Sequence, residues 1–352
     1  MKTFLTVLVI VVLAGGWLVY DLLKDAGQFK KIEPHFEGSI QKVEGVAGAE
    51  DITVHQETGL AFISSDDRRA GWSGKGALYL YDLNAEAPQP VELTRGFDQP
   101  FHPHGISLYQ LDSVTVRLFV VNHREAATTT VEIFDWASDS LSHRETIAHD
   151  RLRFANDLAA VGARSFYVTS DHGNTSALGR TLEEYLRLAR AYVLYYDGQE
   201  FTRVAGGIKY ANGINLSADG REVYVAATTS GKIHVYDRDP ETGALTERTS
   251  LELGTGVDNI ELDAEGNLWV GAHPKLLTFV EYAKDAQKRS PSQVLKITLF
   301  PNDTFQFQEV FLDDGSRLSG SSVAAVYGNT MLVGTVFDPH FLVCELGAMS
   351  QK

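Results

Sequence analysis

Six short segments each set a polar pair before an apolar residue: AEDI, PHGI, ANDL, ANGI, VDNI and GSSV. The pairs are Glu50-Asp51, His104-Gly105, Asn156-Asp157, Asn212-Gly213, Asp258-Asn259 and Ser321-Ser322. Asp, Glu and Asn side chains offer hard oxygen ligands and no thiolate. Glu50 and Asp258 together balance one divalent cation. The amide carbonyls of Asn156, Asn212 and Asn259 bring the oxygen count toward the six to eight that Ca²⁺ takes. Mg²⁺ keeps more water and needs stricter geometry, so this set favours calcium. A second set, Asp51 and Asp157 with a backbone carbonyl, would hold another cation deeper down. His104 shares the register of these ligands, and His123 ends the next strand, FVVNH. An imidazole beside such a metal suits general-base chemistry near neutral pH. Any one of these Asn or Asp residues alone would read as a turn cap. Six polar placements in one register are hard to ascribe to packing.

The elements that must position them recur. Short aromatic-apolar strands begin at Phe62, Phe119, Tyr167, Tyr224, Trp269 and Leu332, at intervals of 57, 48, 57, 45 and 63 residues. Alternating strands follow most of them, such as ALYLYDL, TVEIFDW and KIHVYDR, with turn signals at SADG and DAEG. A unit of several strands repeated six times predicts an all-β, six-bladed β-propeller. The polar pairs then open the innermost strand of each blade and converge on the central channel. Two inserts interrupt the scheme. Residues 181–195 begin as a helix, with Thr181 and Glu184 at capping-box spacing. Residues 275–292 start with the apolar run Leu276 to Val280.

Phe4 to Tyr20 is almost unbroken apolar sequence ending in Trp17-Leu-Val-Tyr20. At about 1.5 Å per residue it approaches the roughly 30 Å hydrocarbon core. Residues 1–24 therefore read as a signal anchor, 25–39 as a linker and 40–352 as the propeller. The body is expected to be exported and tethered to a membrane, or secreted if the signal is cleaved. The net charge of −15 disfavours nucleic acid as a partner. One cysteine, Cys344, excludes a disulfide within the chain.

The segments GAEDITVHQETGLAFISS, PHGISLY, FVVNH, ANDLAAVG, YVTSDH, ANGINLSADGREVYVA, VDNIELDAEGNLWVGAHP and GSSVAAVYGNTMLVGTVF resemble the serum paraoxonase/arylesterase family over roughly residues 40–346. The resemblance implies a calcium-dependent hydrolase of lactones and aryl esters, with weaker action on phosphotriesters. It matches Glu50, Asn156, Asn212, Asp258 and Asn259 to a catalytic calcium. Asp51, Asp157 and the backbone carbonyl of Ile106 match a structural calcium. His104 and His123 match a histidine dyad, and His172 a residue near the active-site wall. Three positions depart from the family. Cys344 lacks its disulfide partner, Ala272 stands where a cysteine is usual, and Gly231 replaces a histidine. Two rival readings remain: a gluconolactonase/SMP-30-type sugar lactonase, and a calcium-stabilised propeller that only binds a partner.

Overall fold

The repeat is a four-stranded antiparallel sheet, and six of them form the ring. The computed structural model describes residues 2–125 and 128–347. The inner strands of blades one to six are Ala49–His55, Pro103–Gln110, Ala155–Ala160, Ala211–Leu216, Gly256–Leu262 and Ser321–Tyr327. Each inner strand touches the inner strands of both neighbouring blades, and the sixth touches the first. The apolar core is divided into six clusters, one at each blade–blade seam. Ile52, Ile63 and Phe341 serve the seam between blades six and one, and Phe119, Phe166 and Leu194 that between two and three. A single blade thus has no core of its own, as expected for stacked repeats.

Every inner strand carries a β-bulge at its polar pair. The ladder register slips between Ala49 and Asp51, Pro103 and Ile106, and Ala155 and Leu158. It slips likewise between Ala211 and Ile214, Val257 and Ile260, and Ser321 and Ala324. A bulge opposes two residues to one, bends the strand and re-aims side chains. In blade six the bulged pair is therefore Ser322-Val323, one residue later than the expected Ser321-Ser322. The run GSSV leaves that frame open, and pairing of Ser321 with Thr335 and Ala324 with Val333 fixes it.

Blade six is completed by the start of the body. Gly38–Glu44 pairs in antiparallel register with His340–Leu346 along all seven residues. The stretch expected as a linker also carries His35–Phe36, which pairs with Leu312 and Phe311 at the edge of blade five. Ile40 and Cys344 are Cα partners in the closing ladder. Antiparallel partners lie at about 4.5–5.5 Å, inside the span a disulfide bridges. Ile40→Cys is expected to form that bridge under oxidising conditions. It should add about 2–4 kcal/mol and raise Tm by about 5–10 °C, reversibly with reductant. A melting temperature insensitive to reductant, with the bridge verified by mass, contradicts this.

Among the described residues three α-helices decorate the ring. α1, Lys2–Asp25, is exposed at its described side chains up to Tyr20 and half-buried from Asp21 to Leu23, and by length and composition it qualifies as a membrane span or signal sequence. α2, Ala177–Tyr185, is capped by Ser176, whose hydroxyl accepts the Gly179 N–H at 3.1 Å. The predicted cap at Thr181 lies mid-helix instead, where its hydroxyl donates to the Ala177 carbonyl. Arg187, at φ 52°, follows the helix end, and Ala191–Tyr196 is already a strand of blade three. α3, Leu276–Lys284, occupies the second insert.

Candidate active site and metal centre

The bulges turn one polar side chain from each of five blades toward one end of the channel. Glu50, His104, Asn156, Asn212 and Asp258 all line a cavity of about 400 Å³. Asn259 reaches Glu50 from behind: its amide nitrogen donates to Glu50 Oε1 at 3.0 Å and to the Glu50 carbonyl at 3.2 Å. That bond leaves Asn259 Oδ1 free. The Asn212 amide nitrogen is likewise spent on Thr228 Oγ1 at 3.2 Å. Six buried side-chain atoms among the described residues have no hydrogen-bond partner. Four of them are Glu50 Oε2, Asn156 Oδ1, Asn212 Oδ1 and Asn259 Oδ1. Buried oxygens are normally paired, since each orphan costs about 1–3 kcal/mol. Three of these acceptors belong to residues lining the cavity, Asn259 is bonded to one of those residues, and the set fits a hard cation.

The second set is built differently. Asp51 Oδ1 accepts its neighbour's amide, Ile52, at 2.9 Å, and Oδ2 accepts Ile106 N–H of blade two at 2.7 Å. Asp157 repeats this with Leu158 at 2.7 Å and Ile214 of blade four at 2.8 Å. The two aspartates thereby stitch neighbouring inner strands, and Ile106 meets Asp51 through its amide. Gly105 leaves the room that Asp157 needs, because a Cβ there would stand 2.2 Å from Asp157 Oδ1. Burial pushes both carboxyls well above the usual range, and neighbouring charge adds to it: Glu50 beside Asp51, and Asp51 beside Asp157. Burial raises Glu50 and Asp258 as well. Four crowded carboxyls are expensive to ionise without countercharge in the channel. Among the described residues no three His, Cys, Asp or Glu side chains form a cage by themselves. The fit to a cation depends on the amide oxygens.

The histidine pair has a defined direction. His104 Nδ1 faces His123 Nε2 at 3.1 Å, His123 Nδ1 faces Thr129 Oγ1 at 3.1 Å, and Thr129 Oγ1 lies 3.3 Å from the Arg153 carbonyl. A carbonyl only accepts, so the hydroxyl donates to Arg153 and accepts from His123 Nδ1–H. His123 Nε2 then accepts from His104 Nδ1–H. This chain leaves His104 Nε2 bare, 3.5 Å from Glu50 Oε1 and open to the cavity. Burial, and then Arg68, hold the His104 pKa well below the usual histidine value, so the ring is neutral, with its Nε2 lone pair available but less basic than a free imidazole. Burial also lowers His123.

The walls are apolar: Leu276, Leu277 and Phe279 from α3, Val336 and Phe337 from blade six, and Leu22 from α1. His172 stands beside this wall. Its Nδ1 bonds Asp171 at 2.6 Å, and its Nε2 bonds Glu184 of α2 at 2.9 Å. Burial lowers its pKa, but the two carboxylates outweigh burial and raise it to about 9. The charged ring therefore stabilises the fold fully below pH 6.5 and loses that contribution as pH rises through about 9. His172→Gln is expected to cost about 2 kcal/mol at pH 6, or about 3–6 °C in Tm, and much less at pH 10. An equal loss at both pH values contradicts the ion pair.

Sequence reasoning missed three residues of the site. His273 lies in the AHP segment, bonds Asp258 Oδ2 through Nε2 at 2.9 Å and stacks on Phe279 at 3.8 Å. Thr129 ends the histidine chain, and Arg68 enters from a turn of blade one. The first was within reach, since it ends the strand Leu268–His273 much as the sequence places His123 at the end of FVVNH. Thr129 sits directly across a hairpin from His123, and Arg68 alone is assembled by the ring.

The chain matches the Arylesterase family over residues 28–346. Human serum paraoxonase/arylesterase 1 is 39% identical over 330 residues, covering 90% of this chain and 91% of that protein. Rat serum paraoxonase/arylesterase 2 is 41% identical over 310 residues, covering 85% and 86%. A solved luciferin-regenerating enzyme shares the fold at 15% identity and a TM-score of 0.54, over 89% of this chain and 96% of that one. With the match running through all six blades, this chain belongs to the arylesterase family.

Proposed function

We propose that the protein is a calcium-dependent hydrolase of lactones and aryl esters. The observation that carries this is the set of four orphaned oxygens, three of them on residues that line an apolar-walled cavity together with a bare histidine nitrogen. Glu50, Asn156, Asn212, Asp258 and Asn259 would hold the catalytic ion, and Asp51, Asp157 and Ile106 a second, structural one. Bound at the first site, calcium supplies a Lewis-acidic contact for the substrate's carbonyl oxygen. His104 Nε2 takes a proton from water. His123 fixes the ring through Nδ1 and spreads the charge it gains, and Thr129 and the Arg153 carbonyl fix His123 in turn. His273 orients the Asp258 carboxylate through Nε2. The apolar wall takes the alkyl or aryl part of the substrate and keeps bulk water from the carbonyl. α1 would tether this body to a membrane, or serve as a signal, and deliver it to an exported compartment.

The test is a panel on calcium-loaded enzyme: phenyl acetate, an alkyl-substituted γ-lactone and an aldonolactone. Turnover of the first two above the third supports the assignment. Preference for the aldonolactone favours the sugar-lactonase reading. A calcium-dependent rise in Tm with no turnover of any substrate leaves a binding propeller.

A further inference from the structure

Arg68 is the charge in the cavity that this mechanism leaves unused. It lines the same cavity as Glu50 and His104. Its two terminal nitrogens reach only the carbonyls of Val336 and Pro103, each at 3.5 Å, the outer limit of a hydrogen bond. Among the described residues no carboxylate lies within 4 Å of it. The cavity's other arginine, Arg187, is paired with Asp21 at 2.7 Å and with Asp25. Arg69 is spent on the Tyr282 carbonyl at 3.0 Å and on the rings of Tyr282 and Phe337. Glu184 is bonded to His172, which it shares with Asp171. If Glu50 and Asp258 are balanced by a divalent cation, the Arg68 guanidinium faces the cavity with no ion-pair partner among the described residues.

The backbone that carries the guanidinium is anchored. The Arg68 N–H donates to the Asp66 carbonyl at 2.9 Å, and Asp66 is anchored by His102 Nδ1 at 3.0 Å. Trp72 packs edge-on against that histidine, with ring centroids 5.0 Å apart. Gly48, at φ +55°, clears the way: a Cβ there would stand 2.3 Å from the Asp66 carbonyl oxygen and 3.3 Å from an Arg68 nitrogen. A positioned cation with free N–H groups is a ready receptor for a carboxylate, which it grips through two parallel bonds.

We infer that Arg68 recognises an anionic substituent on the substrate, so that the preferred lactones and esters carry a carboxylate beside the bond to be cleaved. The inference rests on the hydrolase reading above for its substrates, and its binding arm stands apart from turnover. The kinetic arm compares a γ-lactone bearing a ring carboxylate with its methyl-substituted counterpart, on calcium-loaded full-length enzyme. The wild type should favour the carboxylate by about 10-fold or more in kcat/KM, mostly through KM. Arg68→Gln should shrink that preference by about 10–100-fold, and Arg68→Lys should restore part of it. The binding arm measures cyclopentanecarboxylate by calorimetry, and Arg68→Gln should weaken it by about 10-fold or more. A preference that stays within about twofold across the three proteins, with unmoved carboxylate binding, overturns the assignment. Loss of carboxylate binding in Arg68→Gln, in a protein that turns over no lactone, upholds Arg68 and rejects the hydrolase reading.

Discussion

Stripping calcium with excess chelator is expected to cut aryl-ester and lactone hydrolysis by about 10³-fold or more, and readdition of calcium should restore it. The loss follows from the floor of the cavity. Without a cation, Glu50 Oε2 and three amide oxygens have no partner, and nothing polarises the carbonyl. Stability should fall with activity. An ion bound at 100 to 1,000 times its Kd contributes about 2.7–4 kcal/mol, or about 5–10 °C in Tm. The decrease is the larger because Asp51 and Asp157 tie neighbouring inner strands through Ile106 and Ile214. Asn212→Ala should reproduce part of the effect and raise the calcium needed for half-maximal activity. Full activity in a preparation shown by elemental analysis to lack calcium would sink the metal site.

His104→Gln is the second large effect. It should lower kcat by about 10²–10⁴-fold, the usual worth of a positioned general base. The calcium-dependent shift in Tm should survive, because His104 Nε2 lies 3.5 Å from Glu50 Oε1 and is not one of the oxygens gathered on the floor. That pairing of results separates proton transfer from metal loss. His123→Gln should cost less, and Thr129→Val less again, about 10-fold, since each acts only by orienting the ring before it. Wild-type turnover in a His104→Gln enzyme that keeps its calcium response removes His104 as the base and leaves a ligating carboxylate for that role.

Much of this site is written in local pattern. The pairs of five blades fall at the bulges because a polar pair between an apolar strand start and a β-branched or leucine residue marks where the inner strand breaks register. The frame of blade six is not local: Ser321, Ser322 and Val323 read equally well in two alignments until Thr335 and Val333 choose one. The start of α2 is misplaced for a related reason. Ser176 and Thr181 are both competent caps, and His172 drawing Glu184 inward decides between them. Arg68 could not be found by scanning, because its neighbours Pro103 and Val336 lie 35 and 268 positions away. The direction of the histidine chain depends on Arg153, a carbonyl whose residue type carries no signal.

The closing ladder between Gly38–Glu44 and His340–Leu346 dictates an order of events during synthesis. The residues that finish blade six leave the ribosome among the first of the body, and their partner leaves among the last. Until Phe341 and Leu342 emerge, five blades exist with an open edge at either end, and the earliest strand waits with its backbone unpaired. A nonsense change at Phe341 therefore does more than trim a tail. It leaves an unclosed arc whose two raw edges invite pairing with other copies.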